Sequence, residues 1–303
     1  MSGGRLARRL PWLLAAAWLW SPPARAADPD GLRIIDAHTH TEFPGTPESS
    51  SGVMQTSEEY FQEMQEAGVV GAVAHTLTPE LGKGPKDSDL RAHNVIHCAG
   101  TEGRVDAARL EKGLRSGRYR CIKIYLGYVH QWASDRRYEP AYRLAEKYRV
   151  PVVFHTGDTY SEKAKLKYAD PLTIDEVAVD HPKVTFVIAH CGNPWLDSAA
   201  EVAYKNPNVV LDGSALLIGD LDKMPPEKVD QFLIRPLSRL FAYVENPAKL
   251  MFGTDWPLAR MAPMVAAFKK AIPKEHWQAV FHDNAARVFR FDPAPGPSVP
   301  LRE

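Results

Sequence analysis

Between residues 33 and 255 the chain alternates two kinds of hydrophobic pattern. Short apolar runs recur at Arg33 to His38, Val69 to His75, Asn94 to Ala99, Arg120 to Leu126, Pro151 to Thr156, Val184 to His190, Asn208 to Asp212 and Lys249 to Asp255. Each is short, apolar and bounded by turn-forming residues, and so reads as a buried strand. Between most of them apolar positions recur every three to four residues, over Ser57 to Ala67, Ala107 to Leu114, Pro140 to Tyr148, Ile174 to Asp180, Trp195 to Tyr204 and Glu227 to Tyr243. That spacing predicts amphipathic helices. Pro151 opens a strand directly after a helix, Asp180-His181-Pro182 and Asn206-Pro207-Asn208 break helices, and Gly68 marks a helix C-terminus. Strand and helix in about eight alternations predict a parallel (β/α)8 TIM barrel. Residues 77–93 depart from the pattern: Pro79, Gly82, Gly84 and Pro85 predict a long loop with at most a short helix.

Length and composition alone leave two architectures open, since 303 residues at 45% hydrophobic can fill one large barrel or two smaller domains. The alternation favours one barrel over residues 27–291. Ahead of it, Arg5, Arg8 and Arg9 precede an apolar run from Leu10 to Trp20 and then Ala24-Arg25-Ala26, the small-x-small pattern of a secretory cleavage site. Residues 1–26 are therefore expected to be a signal peptide and the protein to be exported, periplasmic or secreted. The alternative, a membrane anchor, would need about 20 apolar residues, and this run is shorter and interrupted by Pro11. Arg8-Arg9 also suits twin-arginine export. Residues 292–303, with four prolines, are expected to be a mobile tail.

Removing residues 1–26 takes four arginines from 37 basic residues and none of the 37 acidic ones, leaving a net charge of −4. No basic stripe suggests nucleic acid. Cys98, Cys121 and Cys191 are too few and too far apart in sequence for a disulfide framework or a thiolate zinc knuckle, and are expected to be buried free thiols.

Chemistry concentrates at the ends of the runs. In Ile35-Asp36-Ala37-His38-Thr39-His40, the two histidines share a face at the C-terminal end of a strand, where barrel enzymes keep their active sites. Run five ends in His155, run six in His190 and run eight in Asp255. Ionisable groups rarely close core strands at several places. Imidazole and carboxylate are the usual ligands of a catalytic zinc. His75 and His97 close runs two and three, either lining the pocket or serving as core histidines. His93, His130, His181, His276 and His282 have no evident partners and read as surface residues.

At these residues the sequence resembles the amidohydrolase superfamily, in particular its amidohydrolase-2 branch. The matching pieces are Ile35 to His40, Ile122-Lys123-Ile124-Tyr125, Phe154-His155-Thr156-Gly157, Ala189-His190-Cys191-Gly192 and Phe252-Gly253-Thr254-Asp255-Trp256-Pro257. They lie in order within residues 33–290. The resemblance implies that His38, His40 and His155 bind a divalent metal such as zinc, with Asp255 completing the shell and taking a proton from bound water. It implies one ion, with His190 contacting substrate and a developing charge or holding a second ion. Lys123 has three readings: a carboxylated bridge between two metals, a charge-stabilising lysine, or a member of a structural ion pair. Cys191, following His190, is expected to face outward beneath a helix.

The expected function is a metal-dependent hydrolase of a small-molecule ester, lactone or amide, with Asp255, His190 and Lys123 as the catalytic residues. A decarboxylase of an aromatic or unsaturated acid would want a bidentate arginine near the metal. The loop from Thr41 to Thr56 has no basic residue, and the loop after run eight offers only Arg260. A non-catalytic metal- or ligand-binding barrel is the rival of another class, and the retained Asp255 argues against it. A nuclease on this fold would want cations for phosphate.

Overall fold

A computed structural model describes residues 30–76, 87–101 and 103–291. The expected signal peptide and the proline-rich tail lie outside the described residues, as do residues 77–86 of the expected loop. The strands are β1 (Ile34–Thr39), β2 (Val69–Thr76), β3 (Val95–Thr101), β4 (Tyr119–Tyr125), β5 (Val152–His155), β6 (Phe186–Ile188), β7 (Val209–Asp212) and β8 (Leu250–Met251). They pair in sequence order and every pair is parallel. The backbone after β8 returns alongside β1, with Ala37 N donating to Phe252 O at 2.9 Å, Asp255 N to His38 O at 2.8 Å and His40 N to Trp256 O at 2.8 Å. The sheet so closes into a (β/α)8 TIM barrel.

The helices are α1 (Ser57–Glu66), α2 (Asp87–Ala92), α3 (Ala107–Arg115), α4 (Glu139–Tyr148), α5 (Thr173–Asp180), α6 (Leu196–Lys205), α7 (Pro226–Val229), α8 (Arg235–Val244), α9 (Met261–Ala271) and α10 (Asn284–Phe289). Side-chain caps start two of them: Thr56 accepts from Glu59 N at α1 and Asp106 from Arg109 N at α3. The helix expected over Glu227 to Tyr243 is present as one continuous run of helical backbone, in which a π-turn, Asp230–Ile234, links α7 to α8. Pro236 accounts for the π-turn, because it has no N–H to continue the ladder and its ring crowds the preceding turn.

Two cores follow from strand alternation. Outward side chains such as Ile122, Ile124, Phe154, Phe186 and Leu211 pack beneath the helices. Inward ones such as Val73, Val153, Val187, Val210 and Met251 fill the barrel, with Val288 and Phe289 of α10 in the same cluster. Cys191 belongs to the outer core and is free, as expected. Cys98 and Cys121 are not free: they form a disulfide inside the barrel. They are paired residues of β3 and β4, with Cα atoms 4.3 Å apart, so parallel register brings together two thiols that lie 23 positions apart in sequence.

Candidate metal centre and its pocket

The C-terminal ends of the strands converge on a cavity of about 690 Å³. Its polar part is built from β1, β4, β5 and the turns after β6 and β8, which supply His38, His40, Lys123, His155, His190 and Asp255. All six catalytic and metal residues expected from sequence therefore line one cavity. His75 and His97 are buried elsewhere. His75 Nε2 lies 3.0 Å from Ala37 O and its ring lies tilted at 36° to that of His38 with centroids 3.9 Å apart, so it is a core histidine beneath the site.

The closest ligand group is His38, His40 and Asp255, with one ligand atom of each lying within 4.8 Å of the others. His40 Nε2 is 3.1 Å and His38 Nε2 3.6 Å from Asp255 Oδ1. That oxygen is buried and completes no hydrogen bond. Burial alone would raise the Asp255 pKa, but His38, His190 and His40 around it hold it well below the usual carboxylate range. Two imidazole nitrogens facing an ionised carboxylate oxygen that lacks a hydrogen bond are a donor set suited to a divalent cation. The residues present fit one.

Two carboxylates hold this group in place. Asp212 Oδ2 pairs closely with His38 Nδ1, and Asp212 Oδ1 accepts from Ser214 N at 2.8 Å. Burial drives the His38 pKa well below its ordinary value, so the ring is neutral. Its one proton then sits on Nδ1 facing Asp212, leaving the Nε2 lone pair towards the cavity. Asp36 ties β1 to the turn after β8. It accepts from His38 N at 3.0 Å, Thr254 N at 3.0 Å and Thr254 Oγ1 at 2.5 Å. Burial raises its pKa to about 7. Asp255 itself has φ of 59°, left-handed backbone that costs an L-residue energy and is held here by these bonds.

His155 lies in the cavity but outside the closest three-residue group. Its Nε2 is 2.8 Å from Asp158 O and its Nδ1 3.2 Å from His190 Nε2, while His190 Nδ1 is 2.9 Å from Ser214 Oγ. One set of proton positions satisfies the chain: Ser214 Oγ–H donates to His190 Nδ1, His190 Nε2–H to His155 Nδ1, and His155 Nε2–H to Asp158 O. Both rings are then neutral. Burial agrees, pushing the His155 pKa well down and that of His190 to about 3.

Lys123 projects into the barrel mouth, on the face of β4 that carries the inward Cys121. Its Nζ is 3.3 Å from His38 Nε2, and burial lowers its pKa to about 8 against the pull of Asp212 and Asp255. Arg260 is absent from the lining. It donates to Glu59 at 2.8 Å and Glu63 at 2.9 Å, which makes it a structural ion pair at the start of α9. Asp212 and Asp36 were not picked out from sequence. Asp212 closes run seven as His155, His190 and Asp255 close theirs, and that signal was available.

A (β/α)8 barrel with a histidine and aspartate group able to hold a metal at its C-terminal mouth defines the class. The amidohydrolase family model, Amidohydro_2, matches residues 35–291, and the chain belongs to this family. Comparison with curated proteins gives no match. Among solved structures, it is similar to an uncharacterized TIM-barrel protein from Bordetella bronchiseptica, at 20% identity and TM-score 0.62 over 86% of this chain and 99% of that one. It is also similar to 5-carboxyvanillate decarboxylase from Sphingomonas paucimobilis, at 15% identity and TM-score 0.61, covering 86% of this chain and 100% of the other. A third is a probable 2-pyrone-4,6-dicarboxylic acid hydrolase from Acinetobacter baumannii, at 15% identity and TM-score 0.60 over the same shares. At such identities the likeness is one of fold.

Proposed function

We propose that the chain is an exported, metal-dependent hydrolase acting on an ester, lactone or amide. The observation that carries this reading is Asp255, whose buried Oδ1 lies 3.6 Å from His38 Nε2 and 3.1 Å from His40 Nε2 on the polar side of the cavity without completing a hydrogen bond. A bound divalent cation, zinc in the first instance, would supply Lewis acidity, bringing the pKa of a water towards neutrality and polarising a carbonyl. The chain's own residues do the rest. Asp255 accepts the proton as water adds to the carbonyl carbon, and returns it to the leaving oxygen or nitrogen when that bond breaks. His190, held by Ser214, offers a neutral ring beside the reacting carbonyl, and Lys123 brings a cation to the developing oxyanion. His155 is the fourth proposed ligand. Its lone pair is on Nδ1, where His190 now donates.

The pocket wall supports hydrolysis over decarboxylation, since no arginine lines the cavity among the described residues. The buried disulfide supports export, because such bonds persist in oxidising compartments. Purified protein is assayed with added zinc against lactones, esters, amides and aromatic or unsaturated acids, beside His40→Ala and His155→Ala variants analysed for metal. Hydrolysis with one zinc per chain, lost from both variants, is expected. Carbon dioxide release without hydrolysis would overturn the reaction type. Undiminished zinc in His155→Ala would remove His155 from the shell, and two zinc ions per wild-type chain, one of them lost in Lys123→Ala, would make Lys123 a bridge.

A further inference from the structure

Above the polar floor the cavity changes character. The turn after β7 contributes Leu216, Leu217 and Ile218, joined by Leu258 and Val129, and together they make an aliphatic wall. This wall is pinned. Ala215 enters it in left-handed backbone at φ of 50°, Asn193 Nδ2 donates to Leu216 O at 3.2 Å, and Gly219 N donates to Leu258 O at 2.8 Å. Leu217, Ile218, Leu258 and Val129 are each only partly buried, and the space they face is the cavity.

Tyr125, Tyr128 and Tyr160 also line the cavity. Tyr128 is fixed at both ends: its hydroxyl accepts from Tyr160 N at 2.8 Å, and its ring meets that of His155 edge-on at 4.9 Å. The acidic Asp158 lines the same space, its Oδ1 occupied by Thr159 N at 2.9 Å. Lys123, the one lysine of the described lining, lies down on the floor against His38.

We infer that this cavity selects substrates whose body is an uncharged aryl or alicyclic group, and rejects those carrying a carboxylate on that body. The inference rests on the hydrolase reading for what happens at the floor, but not for what binds above it. An apolar ring gains contact with Leu217, Ile218 and Leu258 and stacks on tyrosine. A ring carboxylate there would lose water against aliphatic carbon and meet Asp158, with no arginine fork among the described lining residues to receive it. The structural neighbours named for a carboxyvanillate and a pyrone dicarboxylic acid would then differ from this chain in substrate charge while sharing its barrel.

The test is calorimetric titration of the purified protein, with and without added zinc, with acetophenone and with 3-acetylbenzoate, which differ by one carboxylate. Running both metal states separates direct capture of the carboxylate by the ion from selection by the wall. Acetophenone should bind at least about 10-fold tighter in both states, the lower end of what a single methylene-sized difference is worth. In Ile218→Arg, a substitution at a partly buried wall position, the preference should invert, and an unchanged melting profile would show the fold intact. Equal binding of the two ligands by wild type, or an unchanged ratio in Ile218→Arg, would overturn the inference. Acetophenone selectivity without hydrolysis of phenyl acetate would uphold it and count against the hydrolase reading instead.

Discussion

Replacing Asp212 by asparagine tests whether the candidate metal group depends on a carboxylate that lies outside the cavity lining. Asp212 receives two donors, His38 Nδ1 at Oδ2 and Ser214 N–H at Oδ1. Asparagine keeps the shape but offers one acceptor oxygen and one NH2 group. If its oxygen faces His38, Ser214 N–H meets an N–H and is left unsatisfied in a buried site, which costs about 1–3 kcal/mol. If its NH2 faces His38, the imidazole must move its proton to Nε2, and the lone pair aimed at Asp255 is lost. Weakening such a carboxylate–histidine arrangement typically lowers metal affinity by about 10–100-fold, or about 1.4–2.8 kcal/mol. Zinc affinity by competition with a chromophoric chelator and urea unfolding of the metal-free protein read the two alternatives separately. A fall in either is expected. Asp212→Asn protein with wild-type zinc affinity and wild-type stability would show that Asp212 does not orient His38.

The barrel disulfide gives a second test: the 23-residue separation of Cys98 and Cys121 corresponds to roughly 3 kcal/mol of unfolded-state entropy. A Cys98→Ala, Cys121→Ala double variant should lose stability of that order in urea, and thiol titration of unfolded, unreduced wild type should find one thiol, Cys191, where three would refute the bond. Asp36 gives a pH test. Its folded pKa of about 7 lies above the ordinary aspartate value of 3.8, so between those values the native state holds a proton the unfolded chain has released, and stability falls as pH rises. The stability difference between metal-free wild type and Asp36→Asn should therefore shrink from about pH 4 to pH 7 and level off above it, whereas a difference flat throughout would place the Asp36 pKa in the ordinary range.

How much of this was legible in the sequence depends on which direction of structure a residue reports. Along the strand the signal is strong, because barrel strands buried on both faces read as β-branched runs, and all eight runs hold a strand. Their ends also announced His38, His40, His155, His190 and Asp255. Across the sheet the signal is weak. Nothing in a spacing of 23 says that Cys98 and Cys121 are lateral neighbours, since register depends on crossovers whose lengths vary. The apolar wall was hidden for a related reason: Leu216-Leu217-Ile218 looks like core, and only its place between Gly213 and Gly219, past the end of β7, puts it in a loop.

The same geometry explains why the site is where it is. After β6, β7 and β8 the chain turns through left-handed backbone at His190, Cys191, Ala215 and Asp255, positions that L-residues avoid at a cost of about 1–2 kcal/mol each. Glycine would relieve the strain, yet at His190 and Asp255 it would remove a side chain that lines the cavity. Each turn is held from outside itself. Asp255 N is bound by His38 O and its neighbour Thr254 by Asp36, His190 by Ser214, and the turn at Ala215 by Asn193 on Leu216 O. The bonds that hold the strained turns are thus contacts between different strand ends, so aiming the cavity-lining side chains inward and closing the mouth of the barrel are one set of interactions. A substitution that frees one turn should disturb its neighbours across the mouth before it unfolds the strands below.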